Sequence, residues 1–166
     1  MNWDAIGAVG EIVGALAVVL TLAYLALQVR TARKATIDQN TLARASGVRE
    51  MMLTVVENDE LRMNFIRDSG VEPHYDQLAR SLGVSVEEAS RLEWHNSLWF
   101  WLHWGQWTAT HDEKGLKELK HLIASIYSNP SIRRSWDSSP WGKPILDPEF
   151  VRFVDEILAK VSSGND

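Results

Sequence analysis

The side chains best suited to chemistry are crowded between residues 93 and 111, where Glu93, His95, His103 and His111 are interleaved with five tryptophans. Histidines and carboxylates on facing helices hold a di-iron centre when they form paired Glu-x-x-His motifs. Here Glu93 lies two residues before His95, and His103 has Trp99 and Phe100 at the positions where a carboxylate would be needed. A His-Glu-x-x-His zinc motif is also missing,. The chain has five histidines and no cysteine, which excludes thiolate metal sites, disulfides and cysteine nucleophiles,. Gly-x-Ser-x-Gly, Walker and dinucleotide glycine patterns do not occur. The expectation is therefore a non-enzymatic protein with no metal and no cofactor.

The tryptophans supply a different chemistry. Trp94, Leu98, Trp101, Gly105 and Thr108 fall on one helical face, Phe100, Trp104, Trp107 and His111 on a second, and His95, Trp99 and His103 on a third. Aromatic rings on all sides place this helix at the centre of a bundle or under a partner. Trp94, Trp99, Trp101, Trp104 and Trp107 would either fill a core or form a surface for a flat hydrophobic ligand, such as a quinone or a pigment. Buried indole N–H groups need acceptors, and His95, Asn96, His103 and Gln106 are spaced to help,. Ser131 to Trp136, between Pro130 and Pro140, is a compact basic-aromatic segment in which Arg133 and Arg134 either meet anionic groups or face solvent.

The element that must position these residues begins with an apolar stretch. Ile6 to Leu27 is interrupted only by Glu11, and no charge occurs from Ile12 to Val29. At about 1.5 Å per residue it covers roughly 33 Å, close to the hydrocarbon thickness of a bilayer. Its apolar residues favour insertion by roughly 3 to 5 kcal/mol, which exceeds the cost of an off-centre carboxylate. A helix buried in a soluble bundle seldom stays apolar on every face for this length. Arg30, Arg33 and Lys34 follow the stretch, and by the positive-inside rule they hold the C-terminal body in the cytoplasm and leave the N-terminus outside. Trp3 and Tyr24 sit near the two ends, where amphipathic rings favour the interface,.

Gly7, Gly10, Gly14, Ala17 and Thr21 recur at steps of 3, 4, 3 and 4, a seam of small residues. Such a seam lets two helix backbones approach closely. The expected partners are the lipid bilayer and either a second copy of the chain or other membrane-protein subunits. Glu11 lies beside the seam and can bond a partner helix, line a narrow pore or snorkel to the headgroups. A channel-like or ligand-binding homo-oligomer is the alternative reading.

Beyond Leu27 no proline or glycine occurs until Gly47, so residues 30–47 read as a helical stalk between a span at 1–29 and a helical domain at 48–161. Val48, Met51, Met52, Val55 and Val56 then give an amphipathic stripe,. Further helices are expected over Glu60–Asp68, around Tyr75–Leu82 after a turn at Glu72-Pro73, and for about 25 residues after a Ser85–Glu88 capping box,. A last helix starts at Asp147-Pro148 and runs to about Val161, and residues 162–166 are expected to be a disordered tail,. No segment alternates with period two, so the fold class is all-α: one transmembrane helix continuing into a stalk and a small cytoplasmic bundle.

With 166 residues and a net charge of -5, the chain has no clustered basic surface for nucleic acid,. The opening Met1-Asn2-Trp3-Asp4-Ala5-Ile6-Gly7-Ala8-Val9-Gly10-Glu11-Ile12-Val13-Gly14-Ala15, followed by Leu22 to Arg30, resembles a widespread, uncharacterised group of small bacterial membrane proteins with one N-terminal span. Arg133-Arg134-Ser135-Trp136 and Pro148 to Val154 are similar to that group's C-terminal region. The resemblance implies a bacterial inner-membrane location and brings no activity, ligand or catalytic residue.

Overall fold

A computed structural model describes residues 3–163, with side chains from residue 7 onward. The described chain is helical throughout, with seven α-helices and one 3₁₀ turn and no strand. This is the all-α class expected from the periodicity. Met1, Asn2 and the end of the tail at residues 164–166 lie outside the described residues, as do the side chains of Trp3 and Ile6.

Helix α1 runs unbroken from Trp3 to Glu57. Gly47 does not interrupt it, since one glycine inside a helix costs only about 1 kcal/mol. Contacts divide the chain into two units, residues 1–40 and residues 41–166. The described residues of the first unit are helix alone. It includes a stretch long and apolar enough to cross a membrane. Val13, Leu16, Val19, Leu20 and Leu27 are all exposed.

The second unit starts within α1 and continues through α2 (Asp59–Asp68), α3 (Glu72–Leu82), α4 (Val86–Ala109), α5 (Glu113–Tyr127), α6 (Pro130–Ser138), a 3₁₀ turn at Lys143–Ile145 and α7 (Pro148–Ser162). Each of α2, α4, α5, α6 and α7 opens on a side chain that accepts a backbone N–H: Asn58, Ser85, Asp112, Asn129 and Asp147. Ser85 and Glu88 form the reciprocal capping box, which satisfies two of the helix's orphan amides. Helix α3 begins at Glu72, three residues earlier than expected, because Pro73 occupies its first turn instead of a preceding turn,.

Two helices, α5 and α6, lie beyond those expected from the sequence. Leu119, Ile123 and Tyr127 give α5 a buried face, and Ile132, Ser135 and Trp136 do the same for α6. The basic-aromatic segment is thus an amphipathic helix whose tryptophan points inward.

Two apolar clusters fill the second unit. Met52, Val55, Ile66, Tyr75, Leu78, Ala79, Ala89 and Trp94 form one. Phe100, Trp104, Leu119, Ile123, Tyr127, Trp136, Phe150, Val154 and neighbours form the other. Helix α4 contributes to both and packs on α2, α3, α5 and α6, so it is the central helix. At Gly105 it packs against the part of α1 within this unit, where a Cβ atom would lie 2.7 Å from that of Ala45.

Arg62 joins three elements while wholly buried. Its guanidinium donates to the carbonyls of Val55 (3.2 Å) and Val56 (2.8 Å) in the last turn of α1. It also donates to Ser90 Oγ and the Glu87 carbonyl of α4, and to Asp59 beside it. The last turn of α1 holds no basic residue of its own. Arg62 therefore satisfies carbonyls that the helix leaves open.

Candidate functional site

The polar residues buried on α4 define the site. Ser90, Glu93, Asn96, Ser97 and His103 are all buried there, on a face that otherwise packs apolar core. Two of them, three residues apart, hold different helices. Both oxygens of Glu93 lie against Nε2 of His74 on α3, at 2.9 and 3.1 Å. Asn96 Nδ2 donates to Ser131 Oγ and Ser135 Oγ of α6, at 3.0 and 2.9 Å. A carboxylate only accepts, so Nε2 carries the proton and Nδ1 is the ring's remaining nitrogen.

Between the two helices so held lies a cleft of about 190 Å³, lined by His74, Gln77, Leu78 and Ser81 of α3 and by Arg134 and Ser138 of α6. The α3 residues recur at steps of 3, 1 and 3, one face of that helix,. Only Leu78 is apolar. Glu93 is 1% exposed and His74 about a quarter exposed, so the carboxylate is buried and the imidazole reaches the surface. Arg133 is bound to Asp137 at 2.8 Å, whereas Arg134 has no ion pair among the described residues.

The neighbouring Tyr75 is fully buried, and its hydroxyl accepts the indole N–H of Trp141 at 2.9 Å. Burial, and then the charge and hydrogen bond of Glu93, push its phenol far above the usual range. Tyr75 stays neutral and acts as a structural hydrogen-bonding group. Two further buried groups titrate abnormally. Burial lowers His103 to about 4, so it is an uncharged core residue whose Nδ1 lies 3.4 Å from Tyr127 Oη. Burial also pushes the Tyr127 phenol up. On the surface, the Arg91 guanidinium, followed by that of Arg62, holds the Asp59 carboxyl below its ordinary value.

The five tryptophans of α4 do not form one surface. Trp94 and Trp104 are buried, while Trp99, Trp101 and Trp107 are half-buried against the core. Trp94 meets Phe65 edge-on and lies against Trp141. Trp101 meets Trp104 edge-on, Trp99 stacks on His103, and Trp107 touches Phe150 and Phe153. The side chains expected to accept their indole protons do other things. Nε1 of Trp94, Trp101 and Trp104 has no partner among the described residues, Asn96 serves α6, and His95 is exposed.

In the apolar helix, Gly7, Gly10 and Gly14 have open space where a side chain would stand. Thr21 donates to the Ala17 carbonyl of its own helix at 2.8 Å, so the seam offers shape and no free hydroxyl proton. Glu11, Tyr24, Arg30, Arg33 and Lys34 are exposed, and Tyr24 Oη accepts from Gln28 Nε2 at 2.5 Å. Among the described residues no three His, Asp or Glu side chains gather as a metal site.

No protein-family model, curated protein or solved structure matches this chain. The functional reading therefore rests on its own residues. The His74–Glu93 pair escaped the sequence reading because its members are 19 residues apart on different helices. A signal was present nonetheless: Glu93 follows Ala89 and precedes Ser97 and Phe100 at helical spacing, which puts a carboxylate on a buried face,.

Proposed function

We propose that this chain is a non-enzymatic, single-span protein of the bacterial inner membrane that assembles through its span and presents the helical domain to the cytoplasm. The supporting observation is the exposure of the apolar side chains from Val9 to Val29 on every side of α1, while the second unit fills its own core without them. A water-soluble protein rarely leaves so large an apolar surface uncovered. A bilayer covers it on all sides at once.

Orientation follows from Arg30, Arg33 and Lys34, which would remain on the cytoplasmic side. Self-association or docking on another membrane subunit follows from the open seam of Gly7, Gly10, Gly14, Ala17 and Thr21,. Glu11 stands beside that seam as its one ionisable contact. The hydrophobic-ligand reading has weaker support, since the α4 tryptophans pack on one another and on the core.

The absence of native cysteine makes the topology directly testable. In bacterial cells, an Asn2→Cys variant should react with a membrane-impermeant maleimide, and a Ser163→Cys variant should react only after lysis. Alkaline carbonate should leave the protein in the membrane pellet. Release to the supernatant would refute the span. Gly14→Leu should reduce the oligomer size in mild detergent, and an unchanged size would reject the seam as the contact face.

A further inference from the structure

We propose that the cleft between α3 and α6 binds a small oxyanion group, a carboxylate or a phosphate, with Arg134 as its charged anchor. Three observations carry this. The space of about 190 Å³ is small, below the roughly 300 Å³ at which pockets for drug-sized ligands begin. It suits a single ionic group. Five of its six lining residues are polar, and the Gln77 amide is a nitrogen donor besides Arg134, while the His74 Nε2 proton is engaged by Glu93.

The charges around the cleft are arranged so that Arg134 is left over. Glu93 is the buried carboxylate nearest the lining, and His74 Nε2 engages both its oxygens. Asp137, the acidic residue on α6, is bound by Arg133 and Lys143. On α3, Asp76 and Arg80 are exposed and do not line the cleft. An unpaired guanidinium presents a planar fork that matches a carboxylate or phosphate. The hydroxyls of Ser81 and Ser138 donate to carbonyls of their own helices, Leu78 and Arg134. This leaves the Arg134 guanidinium and the Gln77 amide to meet the anion.

The walls are fixed independently of any ligand. Glu93 holds the α3 wall through His74, Asn96 holds the α6 wall through Ser131 and Ser135, and Trp141 ties the segment after α6 back to Tyr75. A site whose donors are positioned before the ligand arrives loses less entropy on binding.

The test uses the full chain in a maltoside detergent, which carries no phosphate or carboxylate, at constant ionic strength set with chloride. Inorganic phosphate, acetate and dihexanoyl phosphatidic acid are titrated separately by calorimetry, and the His74 ring signals are followed by NMR. The expected result is saturable binding of at least one anion with movement of the His74 signals. Arg134→Gln should weaken it tenfold or more without changing the unfolding midpoint. Arg134→Lys should recover part of the affinity, since it restores charge without the fork. Tighter binding of the lipid than of inorganic phosphate identifies a headgroup as the source, and equal or weaker binding identifies a free anion. No saturable response to any of the three, or binding unchanged in Arg134→Gln, overturns the proposal. Neither outcome bears on the span.

Discussion

Trp141 donates its indole N–H to the hydroxyl of Tyr75 across 66 residues, at 2.9 Å, and so ties the segment after α6 to the fully buried face of α3. Trp141 also lies against Phe65 and Trp94, which makes this bond part of an aromatic cluster around the first half of α4. Tyr75→Phe keeps the ring and removes both the acceptor of the Trp141 N–H and the hydroxyl that bonds Glu93. A loss of about 1 to 2 kcal/mol is expected. Urea unfolding followed by tryptophan fluorescence measures it, and an unchanged midpoint would show that the Tyr75 hydroxyl contributes nothing net.

Arg62 should be among the most sensitive positions of the second unit. Arg62→Met retains much of the stem packing but abandons the carbonyls of Val55, Val56 and Glu87, together with Ser90. Breaking a buried charged network typically costs about 3 to 5 kcal/mol. Arg62→Lys should rescue little of this, because one ammonium cannot reach acceptors on three helices. Full rescue by lysine in urea unfolding would mean that charge, and not the guanidinium fork, is what matters.

His103 should impose a pH dependence of defined sign. Burial lowers it to about 4 in the fold, whereas an unfolded histidine titrates near 6.5. Between those values the unfolded chain binds more protons, so stability falls as the pH falls. The contribution is complete above about pH 6.5, is lost progressively down to about pH 4, and totals on the order of 3 kcal/mol. His103→Phe should flatten the dependence of the unfolding midpoint between pH 7 and 4 relative to the parent. Parallel curves for the two proteins would exclude His103 as the source.

Gly105 fixes how closely α1 and α4 approach. Alanine would ordinarily favour a helix by about 1 kcal/mol over glycine, but here its Cβ would stand 2.7 Å from that of Ala45. Neither atom belongs to a flexible side chain, so the helices must separate. A net loss of about 1 to 3 kcal/mol is expected for Gly105→Ala. Adding Ala45→Gly should recover most of it by thermal unfolding, and failure of that rescue would place the strain elsewhere.

Helix starts were legible wherever a capping side chain preceded an apolar stripe. Ser85–Glu88 and Asp147-Pro148 gave α4 and α7 with nearly correct bounds, because capping is a contact between residues two or three apart. Asp112 and Asn129-Pro130 carry the same kind of signal for α5 and α6. In the segment around Trp136 the stripe of Ile132, Ser135 and Trp136 is short and interrupted by Arg133 and Arg134, which makes its helical period faint.

By itself, the sequence determined the helical class, the length and apolarity of the N-terminal helix and the spacing of its glycine seam, since all of these are periodic or compositional and need no knowledge of neighbours. The tertiary structure alone decided that Glu93 faces His74, that Arg62 closes the end of α1, and that Arg134 has no carboxylate among the described residues while Arg133 has one. Those facts depend on which helices lie side by side. Helical periodicity says which face of a helix is buried, but a hydrogen bond between residues 19 or 66 apart is fixed only when the packing of whole helices brings their side chains within about 3 Å,.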